Sequence, residues 1–270
     1  IMGNENPEFA RFSESFVREL AKIDTRIKPE FLSLADEEAR VLGLSVSPTI
    51  IVRKNNSYSM EFVGAPVSYQ AGVFIEAITM ASREEAGLSA SSREKLKNID
   101  KEVNLDVFVT SELPQSSQPS VIACKIAVEI KNNIKVRIID VSQAVKLVQD
   151  SGISSVPAVI VNRDKDSLLE GFLSEDKIVN LVVKYGSSKA DEILAKEIEE
   201  EKKRQRLVDN PDYPVVLTDE NFDKAVEKYP FLVVDCWAEW CGPCQMIHPV
   251  IESLAKKKKG EIVFGKLNVD

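Results

Sequence analysis

No stretch of the chain stays apolar for the roughly 20 residues that a bilayer-crossing helix needs, so no membrane partner is expected. The opening Ile1-Met-Gly-Asn-Glu-Asn-Pro7 has neither a basic region nor an apolar one, and no secretory signal is expected there. Basic residues are in deficit, 35 Lys and Arg against 43 Asp and Glu. The resulting net charge of -8 argues against nucleic acid or an anionic lipid surface as the main partner. Cysteine is scarce: four in 270 residues, only two at a reactive spacing. That pattern fits an intracellular enzyme, expected in the cytoplasm, rather than a disulfide-stapled secreted scaffold. Histidine occurs once, at position 248. A zinc cluster of Cys241, Cys244 and His248 lacks a fourth ligand at any standard spacing, so no metal site is expected. What is present is ordinary for a soluble protein, 44% hydrophobic and 29% charged, in a chain long enough for two domains and perhaps a third.

The chain repeats itself. Residues 5–23 carry Phe9, Phe12, Phe16, Leu20 and Ile23 at three- and four-residue steps and predict an amphipathic helix. A strand is expected over 26–34 and a short acidic helix over 35–42. Gly43-Leu-Ser-Val-Ser-Pro48-Thr-Ile-Ile-Val52 follows, then a β-rich run at 59–63, Gly64 and a helix over about 68–85. After a polar stretch, 89–104, that reads as a linker or connecting helix, the pattern resumes. Expected are a strand at 105–110, a loop at 111–120, a helix at 121–132, a strand at 134–141 and a short helix at 142–150. Gly152-Ile-Ser-Ser-Val-Pro157-Ala-Val-Ile-Val161 then echoes the earlier decapeptide. Residues 168–170, Gly171 and a helix over 175–185 complete the second copy. A period of about a hundred residues indicates duplicated domains rather than a short-repeat solenoid. Cys124 falls mid-helix among apolar neighbours and reads as core packing.

Residues 187–213 read as a charged helical linker, with Glu199-Glu-Glu-Lys-Lys-Arg204 placing glutamates ahead of lysines in the favourable order. A solvated spacer and a partner-binding face both suit it. Beyond it lies the sharpest chemical signal, Trp240-Cys241-Gly242-Pro243-Cys244. An apolar run at 231–234 precedes it and a helix-like segment at 245–255 follows. Two thiols one helical turn apart at a strand-to-helix junction suit reversible disulfide chemistry, and the helix start favours a negative first sulfur. Asp235 ends the apolar run, where a carboxylate is poorly solvated and its protonated form favoured. Pro249 falls inside the helix and removes one of its hydrogen bonds. Cys236 reads as a core residue. The lysine run 256–259 reads as a solvated helix end.

The run from Phe231 to Pro249, with Leu217-Thr-Asp-Glu-Asn-Phe222 before it and Gly265-Lys-Leu-Asn-Val-Asp270 after it, resembles the active-site half of thioredoxins. Residues 1–186 resemble the tandem thioredoxin-like protein disulfide oxidoreductases of archaea and thermophiles. The resemblance implies an α/β fold of three consecutive thioredoxin-like units, each a central mixed sheet flanked by helices, the first lacking its opening strand and the last truncated. The domains are then 1–100 and 101–186, both without a Cys-x-x-Cys pair, the linker 187–213, and 214–270 with the Cys-Gly-Pro-Cys motif. Since the last unit stops halfway, the chain is expected to be a fragment of a longer product. The second unit has Leu113-Pro-Gln-Ser-Ser-Gln118 where family members can carry cysteines, and the first has no cysteine.

The same resemblance assigns roles. Cys241 is the attacking thiolate, its pKa lowered in this family, and Cys244 resolves the mixed disulfide. Asp235 takes the proton of Cys244, and Lys266 moderates the charge of Asp235; a purely structural Asp235–Lys266 pair is the alternative. Trp240, Gly242 and Pro243 present a substrate-binding surface, walled further by Trp237. Pro48 and Pro157 match the cis-proline loops of the fold, which leave a backbone edge for an extended peptide; an ordinary strand-entry proline is the alternative. The redox disulfide stands in for a cofactor, with none else expected. Partners are protein disulfides and an electron donor such as a thioredoxin reductase. Two functions stay open: a thiol–disulfide oxidoreductase whose degenerate units present substrate, or a non-catalytic binding or scaffold protein of the same superfamily.

Overall fold

Local sequence signals set the element boundaries of the first unit, residues 1–190, in a computed structural model that describes residues 7–54, 59–238 and 241–269. Its elements run α1 (Pro7–Ile23), α2 (Glu37–Val41), β1 (Thr49–Arg53), β2 (Ser59–Val63), α3 (Tyr69–Arg83), α4 (Ala90–Leu96) and β3 (Val103–Val109). There follow α5 (Ser117–Ile130), β4 (Ile134–Asp140), α6 (Val145–Ser151), β5 (Ala158–Val161), β6 (Leu169–Glu170) and α7 (Glu175–Gly186). Helix starts carry their expected caps: the Ser89 and Ser174 hydroxyls accept from Ser92 N–H and Lys177 N–H. The β-branched, apolar runs at β3, β4 and β5 read as buried strands, and β5 is buried throughout.

The two copies of the repeat share one sheet, ordered β1-β2-β4-β3-β5-β6. β2 pairs parallel with β4 and β4 parallel with β3; the other pairings are antiparallel. Helices α3, α5 and α7 pack together on one face, over Leu105, Val107 and Val136. On the other, Leu147 and Val148 of α6 cover Phe108, Ile139 and Ile160. This is a mixed α/β sheet flanked by helices, as the sequence implies. The prolines behave alike in both copies. The Ser47–Pro48 and Val156–Pro157 peptides are cis. The Pro48 carbonyl accepts from Gly64 N–H at 2.8 Å and the Pro157 carbonyl from Gly171 N–H at 2.9 Å.

Two expectations fail at the β1 end of the sheet. Residues 27–32 form no strand, and the segment has only an isolated bridge at Ser33. β1 is the sheet edge, and residues 27–32, interrupted by Pro29 with no N–H to donate, do not extend it. A groove of about 770 Å³ runs there, lined by Ala10, Val17, Phe31, Ile50, Val52 and Phe74 among others. The stripe on α1 is also displaced. Ala10 and Ser13 are the buried residues, while Phe9, Phe12 and Ile23 are exposed. The period is right, but among the described residues nothing fully covers Phe9, Phe12 or Ile23. What anchors α1 is a ring series: Phe12 on Phe16, Phe16 on Phe74 of α3, and Phe74 edge-on to Phe62 of β2.

The second unit, residues 191–270, contains most of α8 (Ala190–Arg204), then β7 (Val215–Leu217), α9 (Phe222–Lys228), β8 (Leu232–Trp237), α10 (Gly242–Lys257) and β9 (Val263–Asn268). Its three strands are parallel in the order β7-β9-β8. Crossover helices cover both faces. α9 supplies Ala225 to a core with Val215, Leu217, Tyr229 and Val263, and α10 supplies Ile251 and Ala255 against Phe264. Loops are tied by side chains: Asn221 donates to the Gln205 and Val216 carbonyls, and the Tyr229 hydroxyl donates to the Val208 carbonyl at 2.7 Å.

Candidate active site

β8 delivers its last residues to the start of α10. The turn is closed by Cys241 N–H donating to the Ala238 carbonyl at 3.1 Å. Cys241 is the N-cap of α10, and its Sγ accepts from Cys244 N–H at 3.3 Å. Gly242 and Pro243 open the helix, where proline is tolerated because the first N–H groups have no intrahelical partner. The two sulfurs are joined in a disulfide, with 5.2 Å between the Cα atoms. On reduction the Cys241 sulfur is thus held at the positive end of a 16-residue helix, against a backbone donor. A helix N-terminus favours the thiolate over the thiol.

Parallel pairing sets the rest. β8 is in register with β9 so that Asp235 lies beside Lys266 and Trp237 beside Asn268. Alternation along β8 puts Asp235 and Trp237 on one face, and there α10 brings His248. The imidazole Nε2 lies 3.6 Å from Asp235 Oδ2, and the ring stands edge-on to Trp237 with 5.0 Å between centroids. Lys266 Nζ is 5.1 Å from the Trp237 ring centre. Burial, with Lys266 next in size, holds the His248 pKa below the usual imidazole value, against opposing pulls from Asp235 and Glu252.

With this geometry in view, comparison with known proteins is decisive for one segment. The thioredoxin family model matches residues 213–270. Those residues are similar to thioredoxins. Within them the chain is 46% identical over 57 residues to a thioredoxin of Buchnera aphidicola subsp. Schizaphis graminum, covering 21% of this chain and 53% of that protein. It is 45% identical over 56 residues to the thioredoxin of Alicyclobacillus acidocaldarius, with the same two coverages. The chain therefore spans about half the length of the curated relatives it matches. Among solved structures, a domain of the alkylhydroperoxide reductase AhpF from Enterococcus faecalis superposes at TM-score 0.56 with 20% identity, over 64% of this chain and 83% of that one. A protein disulfide oxidoreductase from Aeropyrum pernix superposes at 0.53 with 17% identity, over 68% and 82%. These two likenesses show a shared fold.

The thioredoxin segment brings Cys241, Cys244, Gly242, Pro243, Asp235 and Lys266 into one compact unit. Trp240 lies outside the described residues. Pro48 and Pro157 are buried in the other unit. Cys236 corrects an expectation: it is exposed. It shares the strand face of Leu232 and Val234, but the core under α9 takes in those two and ends short of it. Cys124 is fully buried, and burial drives its thiol pKa far up, as its apolar setting implied. The residue undervalued by sequence is His248, weighed there only as a metal ligand. Its signal was present: it follows Cys244 by four residues, on the same helix face, opposite the odd-numbered face of β8. Among the described residues no helix is long and apolar enough to cross a membrane.

Proposed function

We propose that this chain is a thiol–disulfide oxidoreductase that exchanges disulfides with protein substrates through Cys241 and Cys244. The observation that carries the reading is the bonded cysteine pair at the N-terminus of α10, with the Cys241 sulfur as helix cap. Reduced Cys241 attacks a substrate disulfide; one substrate sulfur leaves as a thiolate and a mixed disulfide remains. Cys244 then loses its proton, its sulfur bonds to Cys241, and the second substrate sulfur departs. Two electrons pass from the pair to the substrate, and an electron donor such as a thioredoxin reductase restores the dithiol. Asp235 takes the Cys244 proton and Lys266 moderates the carboxylate. Gly242 and Pro243, with Trp240, form the surface that meets the incoming polypeptide.

The three thioredoxin-like units divide the work in this reading. Residues 1–100 and 101–186 lack a cysteine pair and present substrate, while 214–270 reacts. Support comes from the matched cis-proline loops; Val156, next to Pro157, is partly exposed, and its backbone edge suits pairing with an extended peptide. The site of action is the cytoplasm. Insulin reduction driven by dithiothreitol, or by a thioredoxin reductase, tests the reading. Cys241→Ser abolishes acceleration over the uncatalysed rate. Equal rates for the variant and the parent chain would leave the non-catalytic scaffold reading in its place.

A further inference from the structure

The face between β8 and α10 holds two polar atoms that the exchange chemistry alone does not explain. Asp235 Oδ2 and His248 Nε2 are both shut off from solvent, and neither has a hydrogen-bond partner. They face each other at 3.6 Å. That is an ion-pair distance, longer than a hydrogen bond, and one a fraction of an ångström of side-chain rotation would close. Leaving a buried donor and acceptor unmade is costly, so the pair has a standing incentive to close. Trp237 backs the imidazole edge-on and limits where it can turn. The charged groups acting on the imidazole are Asp235 from β8, Lys266 from β9 and Glu252 from α10 itself. With burial they leave the ring neutral at neutral pH. A neutral imidazole still carries one N–H, and the tautomer protonated at Nε2 directs it at the Asp235 carboxylate.

We infer that His248 is a positioning residue for Asp235, its Nε2–H donating to the carboxylate so that Asp235 stays fixed and charged until it receives the proton of Cys244. The inference rests on the reading of Cys241 and Cys244 as an exchanging pair. In the resolving step the Cys244 proton passes to Asp235, and the sulfur electron pair forms the bond to Cys241 Sγ. The bond from Cys241 to the substrate sulfur breaks, and that thiolate takes a proton from water. His248 exchanges neither electrons nor protons in this step; it holds the acceptor. Its contribution is a hydrogen bond to the charged form, which favours ionisation.

Because the chain has a single histidine, proton NMR reads this imidazole directly. In the 270-residue chain, oxidised and dithiothreitol-reduced, Asp235→Asn removes the facing negative charge. It should lower the His248 titration midpoint by about one pH unit. An unchanged midpoint in both redox states overturns the inference, and does so whatever the enzyme assay says. The second arm keeps Asp235 and changes its partner. His248→Phe retains an aromatic ring against Trp237 but has no donor, whereas His248→Gln restores an N–H. In insulin reduction the acid limb of the rate–pH profile moves to higher pH in the Phe variant and back toward its original position in the Gln variant. Identical profiles in the two variants mean that the ring only fills space, and the inference falls. Loss of turnover confined to Cys241→Ser bears on the exchange reading alone. No difference between that variant and the parent chain removes the exchange reading, while the NMR midpoint still decides whether His248 and Asp235 are paired.

Discussion

Gly265→Ala puts a single methyl group at the centre of the second unit. Gly265 sits mid-β9, its Cα opposite Val215 on one side and Val234 on the other. A Cβ there would lie 2.4 Å from Leu217 Cδ1, 3.0 Å from Leu217 Cγ and 3.5 Å from Leu232 Cδ1. The first approach is about 1 Å inside the 3.5–4.0 Å carbon–carbon optimum. Leu217 must change rotamer or β7 must move, and Leu217 is 2% exposed in a filled core. Overpacking of this kind costs about 1–3 kcal/mol. Against it, removing a glycine from the unfolded chain returns about 0.4–1 kcal/mol. The balance is a net loss of roughly 1–2 kcal/mol, or about 4–16 °C in Tm for a unit of this size. The two tryptophans, 237 and 240, both lie in this unit. Tryptophan fluorescence during thermal unfolding therefore follows it selectively. A fluorescence transition at or above the parent Tm would show that the core has slack and that conformational entropy outweighs packing. The strand order β7-β9-β8 with Leu217 wedged against Gly265 would then be untenable. A double-mutant cycle with Leu217→Val sharpens the test, since the smaller side chain makes room and the two changes must be less than additive.

Three more outcomes follow from the structure. Asp106→Asn deprives the partly exposed Arg137 guanidinium of its buried, two-pronged carboxylate partner, at a cost of at most about 3 kcal/mol, because Arg137 keeps some solvent and Glu61 also faces it; calorimetry reads it, and an unshifted transition for the first unit refutes it. Native, oxidised chain treated with iodoacetamide takes up one equivalent at Cys236, whereas Cys124 reacts only after unfolding because burial raises its pKa and closes off access; native modification of Cys124 contradicts the packing. The His248 pKa is depressed in the folded state, so below the ordinary imidazole value the unfolded chain binds the extra proton first and stability falls with falling pH. Urea melts followed by fluorescence at pH 7.5 and 5.5 should lose more stability in the parent than in His248→Gln, and equal losses would refute that assignment.

What local chemistry could specify was legible. The cysteine pair reads as a helix cap because spacing and helix polarity are properties of one segment, and Cys241 is that cap. Pro48 and Pro157 sit in similar decapeptides, and both peptides are cis, as the resemblance implied. The strands of the second copy fall within two residues of their expected places because each is a β-branched run bounded by turn residues. The failures share a cause. Residues 27–32 have strand-like composition, yet a strand exists only where a neighbouring edge pairs with it, and no local pattern announces that neighbour. The α1 period fixed which residues share a face but not how far a covering surface extends, so Phe9 and Phe12 are exposed.

The site divides along the same line. Asp235 and Lys266 were nameable because they stand at positions that match the thioredoxin motif, and parallel registry sets them side by side. His248 stands at an offset just as fixed, four residues past Cys244. What gives it meaning is the crossing of α10 over β8, a tertiary fact. Only that crossing converts a spare imidazole into the group facing a buried carboxylate at 3.6 Å. Helix polarity favours the charged form of the first sulfur. In the proposed mechanism the second sulfur needs an acceptor for its proton, and Asp235 is that acceptor. In that mechanism Lys266 steadies the acceptor by charge and His248 by a directed N–H, each from a different element. Removing either should then slow resolution more than it slows the initial attack by Cys241, and rapid-quench trapping of the mixed disulfide would show the intermediate accumulating in His248→Phe but not in Cys241→Ser.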